Sequence, residues 1–421
     1  MQRLVPRVVV VGAGFGGLQC ARKLRGEPVD VLLIDAHNYH LFTPLLYQVA
    51  SCLLNPGEIA APLRKTFRGA RNVHVRRGLV IDVDLDARRL TLDDGAHIDF
   101  DHLVLAAGSR TNFYGNDELG RHALGLKDLG EALQLRNHVL DCLERAAVTD
   151  DAAERRRRLT FCIVGGGPTG VEYAGALAEL VRLVLPEEYP ELLPADVRIV
   201  LLEGGDRLLP AFRKRLSAYA LRELSRRGVD VRLNAMVATA THEVVETRDG
   251  DRLETASMIW TAGVQPSEFT RSLGVPHAKS GRIEVDERLR VPGYEHVYAI
   301  GDAALTRDKK GRELPMTSPP AMQAGRYVAR QILDPTRKRP FRYVDKGTLA
   351  TIGRTAAVGQ VGRLQFTGFL GWIVWLVVHL YYLIGFENRF VVMLRWSWYY
   401  LRYDRPIRAA IWAHRPRDER R

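Results

Sequence analysis

The chain carries one strongly constrained arrangement twice. Near its start the apolar run Arg7 to Val11 leads into Gly12-Ala13-Gly14-Phe15-Gly16-Gly17, and Phe15 to Leu24 reads as a helix. A second apolar run, Leu159 to Val164, leads into Gly165-Gly166-Gly167-Pro168-Thr169-Gly170 and again opens a helical stretch. Each unit returns as another apolar run, Val29 to Ile34 and Val197 to Leu202, closing on an acid, Asp35 or Glu203. Strand, glycine turn, helix and strand make a βαβ unit, whose parallel strands need both faces covered. The fold class that follows is α/β, with two Rossmann-like domains.

The glycines also say what such turns hold. Gly12 permits the tight turn, Gly14 lets backbone approach a pyrophosphate, and Gly17 lets helix and strand pack closely. Phe15 and Gly16 open the helix, whose first N–H groups and positive dipole end face phosphates. Asp35, followed by Ala36, stands where a carboxylate binds ribose hydroxyls. In the second unit Gly165, Gly167, Pro168, Thr169 and Gly170 take the corresponding places, with Glu203 as the acid. Its spacing is longer because the segment Leu185 to Asp196 intervenes. A carboxylate at Glu203 repels a 2′-phosphate and favours NADH over NADPH, while Arg207 pulls the other way. A lone glycine motif is weak; two, each with its acid, point to two adenine dinucleotide sites.

Length and charge bound the rest. A chain of 421 residues exceeds one ordinary core and implies two or three domains. The net charge of +12 favours an anionic partner: nucleic acid, a phosphate-bearing cofactor or acidic lipid. Cys20, Cys52, Cys142 and Cys162 form no CxxC, which fits a reducing compartment and excludes a thioredoxin-like pair or zinc ribbon. A strand within a few residues of Met1 leaves no room for a signal peptide. Arg155 to Arg158 reads as a solvated linker face or as a phosphate or lipid contact. His37 and His40 have no companion ligands, so they read as structural and no metal is expected.

Two stretches suggest chemistry. In Thr317-Ser318-Pro319-Pro320-Ala321-Met322-Gln323, Ser318 suits an N-cap and Pro319 the first helical position. Glu172, placed in the first turn after the second loop, either complements the helix dipole or sits beside reacting groups.

Further runs carry a resemblance. Leu103-Val104-Leu105-Ala106-Ala107-Gly108-Ser109, Trp260-Thr261-Ala262-Gly263 and Tyr298-Ala299-Ile300-Gly301-Asp302-Ala303 resemble flavoprotein reductases of the glutathione-reductase type. More narrowly, Tyr39-His40-Leu41-Phe42-Thr43-Pro44-Leu45-Leu46-Tyr47-Gln48-Val49-Ala50 resembles the signature of type II NADH dehydrogenases, which are NADH:quinone oxidoreductases. Arg207-Leu208-Leu209-Pro210, Gln323 to Ala329 and Gly347 to Gly353 are similar to that family too.

The resemblance implies FAD at the first loop and NADH, exchanging with NAD⁺, at the second. For FAD it implies contacts from Gly12, Gly14, Phe15, Gly16, Gly17, Asp35, Ala36, Val80, Ala107, Gly108, Asp302 and Gln323. For NADH it implies Gly165, Gly167, Pro168, Thr169, Gly170, Glu172, Glu203 and Gly263. Glu172 and Gln323 become the candidate catalytic residues. The family's AQxAxQ start of the quinone-site helix keeps its second Gln as Gln323, while Pro319 replaces the first. The implied domains are 1–125 and 276–338 for FAD, 159–275 for NADH, 126–158 as connector, and 339–421 for membrane attachment and dimerisation.

The tail supports this independently. Phe369 to Phe386 has no formal charge over 18 residues, the lower limit for a membrane span. Trp372, Trp375, Tyr381 and Tyr382 suit an interface, as does the mixture of Arg389, Arg395 and Arg402 with Trp396, Trp398, Tyr399, Tyr400 and Tyr403. A core or dimer helix, a spanning helix and monotopic attachment are the alternatives, the last favoured by the resemblance. The implied enzyme reduces a membrane quinone by two electrons without pumping protons. It would work as a homodimer against anionic lipid on the cytoplasmic face of a bacterial membrane, with no nucleic acid involved. The rivals are a sulfide:quinone oxidoreductase, which lacks its later redox cysteines here, and a soluble flavin reductase with a protein acceptor.

Overall fold

The computed structural model describes residues 5–336, 338–402 and 408–409. The chain divides into two compact units, residues 1–41, 60–110 and 264–346 against 42–59, 111–263 and 347–421. The first opens with β1 (Arg7–Val11), α1 (Phe15–Leu24) and β2 (Asp30–Asp35). A detour into the second unit carries α2 (Leu46–Ala50), after which β3 (Val73–Arg77) and β4 (His102–Leu105) return to the first.

The second unit continues with β5 (Ala123–Gly125), α3 (Leu129–Val148), β6 (Thr160–Val164), α4 (Pro168–Glu188) and β7 (Arg198–Leu202). Then come α5 (Lys214–Arg226), β8 (Val229–Arg232) and β9 (Ser257–Trp260). The first unit is completed by β10 (Tyr294–Ala299) and α6 (Ser318–Leu333). Last, the second unit gains the hairpin strands β11 (Thr348–Thr351), β12 (Ala357–Val361) and β13 (Leu364–Thr367), then α7 (Gly368–Tyr382) and α8 (Phe386–Arg402).

The internal repeat extends to sheet order. In the first sheet β10, β4, β1, β2 and β3 lie side by side, with Arg290–Val291 at the edge; the second runs β5, β9, β6, β7, β8. In each, the strand entering a glycine loop lies between one closing on an acid and one closing on a glycine turn, Ala106-Ala107-Gly108 or Thr261-Ala262-Gly263. Val8, Val9 and Val10 of β1 and all of β6 are buried, as parallel strands covered on both faces require. On the first sheet α1 and α6 pack backbone to backbone: a Cβ on Gly325 would lie 2.1 Å from the Gly16 carbonyl oxygen.

Three local expectations change. The long spacing before Glu203 arises because α4 runs for 21 residues, through Pro186, before a single 3₁₀ turn at Pro194–Asp196. The N-cap of α6 is Thr317, so Ser318 is already helical. Arg155–Arg158 closes a short helix, Ala152–Arg158, capped by Asp151, and Arg155 donates back to the Ala146 and Thr149 carbonyls that end α3.

The apolar tail is two helices rather than one. It breaks at Leu383-Ile384-Gly385, where Gly385 takes a φ of 91° that side chains disfavour. Arg389 donates to the Leu383 and Tyr381 carbonyls, satisfying groups at the end of α7. The 15 residues of α7 reach only ~22 Å at 1.5 Å per residue. Among the described residues no helix is long and apolar enough to cross a membrane. Tyr403 lies outside the described residues, as do the side chains of Tyr399, Tyr400 and Arg402.

Candidate active site

The two glycine loops repeat the same set of close backbone contacts. Gly12 and Gly165, with φ of 99° and 109°, donate to the carbonyls of Ile34 and Leu202 at 2.7 and 2.8 Å. A Cβ on Gly12 would strike the Ala106 carbonyl at 2.2 Å, and one on Gly165 the Ala262 backbone at 2.7 Å. Gly17 and Gly170 would meet the Gly12 and Gly165 carbonyls at 1.8 and 1.9 Å. Only glycine allows helix and turn to approach so closely.

The acids close each loop. Asp35 accepts from the Ala13 and His37 N–H groups at 2.6 and 2.7 Å. Glu203 accepts from those of Gly166 and Gly205, both at 2.6 Å. Sequence reasoning placed both on ribose hydroxyls and missed that they also brace the turn. The helix caps Gly14 and Gly167 lend no side chain to the first turn. Nothing lies within 4 Å of a Cβ built on either, or on Gly108. N–H groups at a helix start with open space before them form a cradle for a pyrophosphate, so both loops fit a dinucleotide.

Around the first loop Phe15, Gly16, Ala36, Ala107, Gly108 and Asp302 gather at the carboxyl ends of the first sheet. Asp302 accepts from the Ser109 hydroxyl. Val80 differs: its side chain belongs to the apolar core with Leu90, Leu92 and Leu105, leaving only backbone to meet a cofactor. His40 is buried, with Nδ1 donating to the Ala13 carbonyl at 2.8 Å, and burial lowers its affinity for a proton. Gln323 is occupied at both ends of its amide. It donates to the Val344 carbonyl at 2.9 Å and accepts from the Val344 N–H at 3.0 Å. Pro319 is half-buried in the first turn of α6.

Around the second loop Pro168, Thr169, Glu203 and Gly263 gather at the carboxyl ends of β6, β7 and β9. The Arg207-Leu208-Leu209-Pro210 run gains a physical reason. Leu209 donates to the Gly166 carbonyl at 2.8 Å, and Arg207 donates to the Pro210 carbonyl at 3.0 Å.

Glu172 is the fifth residue of α4, beyond the first turn in which the sequence placed it, so of its two readings the one that complements the helix dipole falls away. One face of α4 carries Glu172, Gly175 and Glu179, and the end of β11 lies along it. Thr351 donates to Glu172 at 3.2 Å, Arg354 donates to Glu179 through its backbone, and a Cβ on Gly175 would sit 2.7 Å from the Gly353 nitrogen. Burial pushes the Glu172 carboxyl up to about 8; the Thr351 N–H and the nearby Trp375 indole offset only part of that rise. Glu172 therefore carries a proton at neutral pH.

Trp375 of α7 lies beside this carboxyl. Trp375, fully buried, stacks on His379 with centroids 4.0 Å apart and meets the rings of Tyr47 and Trp396 at 6.4 and 5.7 Å. His379 donates from Nδ1 to the Trp375 carbonyl at 2.7 Å, and burial pushes the ring down to about 4. Trp396 donates to Gln48, and Arg395 pairs with the buried Glu58. Gln48, Glu58, Glu179 and His379 went unassigned in the sequence, since their partners are far away in it, while Trp372, Trp375 and Trp396, read there as interfacial, are buried because they pack within the second unit.

Comparisons with known proteins agree with this geometry. The family model for the pyridine nucleotide-disulphide oxidoreductases matches residues 6–325. The type II NADH:quinone oxidoreductases NdhA and Ndh of Mycobacterium tuberculosis are 38% and 37% identical to the chain. Each alignment spans 93% of this chain, and 86% and 87% of the two relatives. The NDH2 structure from Plasmodium falciparum in complex with NADH has a TM-score of 0.88 at 21% identity, covering 97% of this chain and 100% of that one. The sulfide:quinone oxidoreductase of Aquifex aeolicus shares the fold at a TM-score of 0.70 and 19% identity, over 91% and 92% of the chains.

Proposed function

The chain belongs to the pyridine nucleotide-disulphide oxidoreductases and, within them, to the type II NADH:quinone oxidoreductases, and from that premise we propose how its residues do the work. The enzyme oxidises NADH and reduces quinone. Bound FAD would supply the two-electron chemistry that links NADH oxidation to quinone reduction.

In this reading the first loop holds FAD, with its pyrophosphate on the N-terminus of α1 and Asp302 on the hydroxylated chain. The second loop holds NADH on the N-terminus of α4. Glu203 selects against a 2′-phosphate, and Arg207, committed to Pro210, does not reverse that selection. Gln323 acts mainly by fixing the strand of chain at Val344, since both amide atoms are spoken for.

The observation that carries the acceptor side is the buried Glu172 carboxyl beside Trp375, whose ring packs with those of Tyr47, His379 and Trp396. A quinone ring packs against such rings, and quinone reduction consumes two protons. Glu172 holds one at neutral pH. His379 donates its Nδ1 proton to a carbonyl, so its Nε2 can only accept, which suits the hydroxyl of a product quinol.

Membrane attachment belongs to the same proposal. Phe369, Leu370, Ile373, Val377 and Tyr381 are exposed along one stripe of α7, and Phe390, Met393, Leu394 and Trp398 along α8. A contiguous apolar face of this kind marks a lipid or partner surface. We assign it to anionic lipid on the cytoplasmic side, with the working unit a homodimer.

Anaerobic NADH should bleach the bound flavin, and a soluble quinone should restore it at turnover rates. Flavin that stays bleached with quinone present would refute the acceptor.

A further inference from the structure

We propose that Tyr114 forms the wall against which the nicotinamide end of NADH is positioned. The proposal rests on the second loop binding NADH.

The position follows from sheet order. In the second unit β6 is central, β7 on one side ends in Glu203, and β9 on the other ends in Ala262-Gly263. A dinucleotide lies across the carboxyl ends of such strands where the order reverses. With its adenosine ribose at Glu203 and its pyrophosphate at the start of α4, its other half must pass over the end of β9. Tyr114 stands there. Its hydroxyl donates to the Ala262 carbonyl at 2.7 Å, and a Cβ on Gly263 would lie 2.7 Å from that hydroxyl.

The residue is held in place but its ring is not used in packing. Asn112 accepts from the Tyr114 N–H at 2.8 Å, donates to the Gly263 carbonyl at 3.1 Å, and accepts from the Trp260 indole at 2.8 Å. Phe113 packs on Trp260 with centroids 5.7 Å apart. These bonds fasten the Asn112–Tyr114 turn to the end of β9. Yet Tyr114 is 69% exposed and takes a φ of 55°, a left-handed conformation that an aromatic residue adopts only at a cost in free energy. A ring on a left-handed backbone, anchored by its hydroxyl and largely bare, contributes little packing to the fold. Facing a nicotinamide, it supplies a rigid flat surface that accepts an aromatic ring face to face or edge on.

The test compares NAD⁺ with ADP-ribose, which has the adenosine, pyrophosphate and second ribose but no nicotinamide. Binding of both to the FAD-loaded protein is measured by calorimetry for the wild type, Tyr114→Phe and Tyr114→Ala, alongside thermal melting. Tyr114→Ala should weaken NAD⁺ roughly three- to tenfold and leave ADP-ribose unchanged. Tyr114→Phe keeps the ring but frees it, and should fall between. The KM for NADH should rise in the same order while the KM for quinone stays put. Equal weakening of both ligands would reduce Tyr114 to a structural part and overturn the proposal, as would unchanged NAD⁺ binding. A wild type that bound neither ligand would instead overturn the NADH reading of the second loop.

Discussion

The indole N–H of Trp396 donates to the side-chain oxygen of Gln48 at 2.9 Å, joining residues 348 apart in sequence. Gln48 in turn donates to the Tyr47 hydroxyl at 2.9 Å, and Gln48, Tyr47 and Trp396 are all buried. Trp396→Phe keeps the ring but leaves the Gln48 oxygen buried without its donor, at a cost of about 1–3 kcal/mol. The variant should melt earlier, and limited proteolysis should cut the tail hairpin sooner. NADH should still bleach its flavin, because the first glycine loop is untouched. Unchanged proteolysis would show that this bond does not hold the hairpin.

How much of this was legible beforehand depended on distance along the chain. Gly12 to Asp35 and Gly165 to Glu203 each lie in one βαβ unit, so local spacing revealed the loops and their acids. The tail was visible as apolar, but the break at Gly385 was not, because Leu383-Ile384-Gly385 interrupts a run apolar throughout. Glu172 was singled out by its place after the loop, yet its environment depends on Thr351 and Trp375, which only the folded chain brings to α4. Gln323 was read as a contact for quinone and FAD; its commitment to Val344 could not be foreseen, since nothing in the intervening sequence marks a partner.

In the proposed reading Glu203 decides between the two nicotinamide cofactors. Its carboxylate oxygens brace Gly166 and Gly205, and Arg207 is turned to Pro210. Glu203→Gln keeps an acceptor for one of those N–H groups and removes the charge. The ratio of kcat/KM for NADPH over NADH should then rise by roughly tenfold, about 1.4 kcal/mol. Steady-state kinetics with both donors would withdraw the assignment if that ratio did not move.

The repeated loops can be separated by colour. In Gly17→Ala the new methyl collides with the Gly12 carbonyl, and in Gly170→Ala with that of Gly165. Gly170→Ala should purify yellow, with a normal flavin spectrum that NADH no longer bleaches. Gly17→Ala should purify colourless or fail to fold. A colourless Gly170→Ala protein alongside a yellow Gly17→Ala protein would reverse the assignment of the two cofactors.

Glu172 should leave its mark on pH dependence. Burial raises its carboxyl to about 8, against roughly 4.3 in an unfolded chain. Between those values the folded chain keeps a proton that the unfolded chain has released. The contribution to stability is therefore complete below about pH 4.3 and is lost as pH rises through the folded value. Glu172→Gln can still accept from Thr351 but cannot ionise, so its melting temperature should fall less between about pH 5 and pH 8 than that of the wild type, a window that runs from just above the unfolded value up to the folded one. Quinone reduction should slow and lose its alkaline limb near the wild-type value, while flavin bleaching by NADH keeps its rate. A quinone rate profile identical to the wild type would remove Glu172 from proton delivery.

The exposed stripe on α7 predicts where the enzyme sits. Leu370, Ile373 and Val377 project from the helix on the face opposite buried Trp372 and Trp375, so replacing them leaves the packed side intact. Moving each from water into lipid contributes about 1 kcal/mol or more, because burying apolar surface is worth roughly 25 cal/mol per Å². The triple change to Ser should therefore lower binding to vesicles containing anionic lipid by at least ~10-fold, each factor of ten corresponding to about 1.4 kcal/mol. Turnover with a short-chain soluble quinone should persist, since the stacked Trp375 and His379 rings are left in place, whereas turnover with a quinone confined to the bilayer should fall with binding. Retained vesicle binding together with a shift from dimer to monomer in sedimentation would assign the stripe to a second copy of the chain instead of lipid.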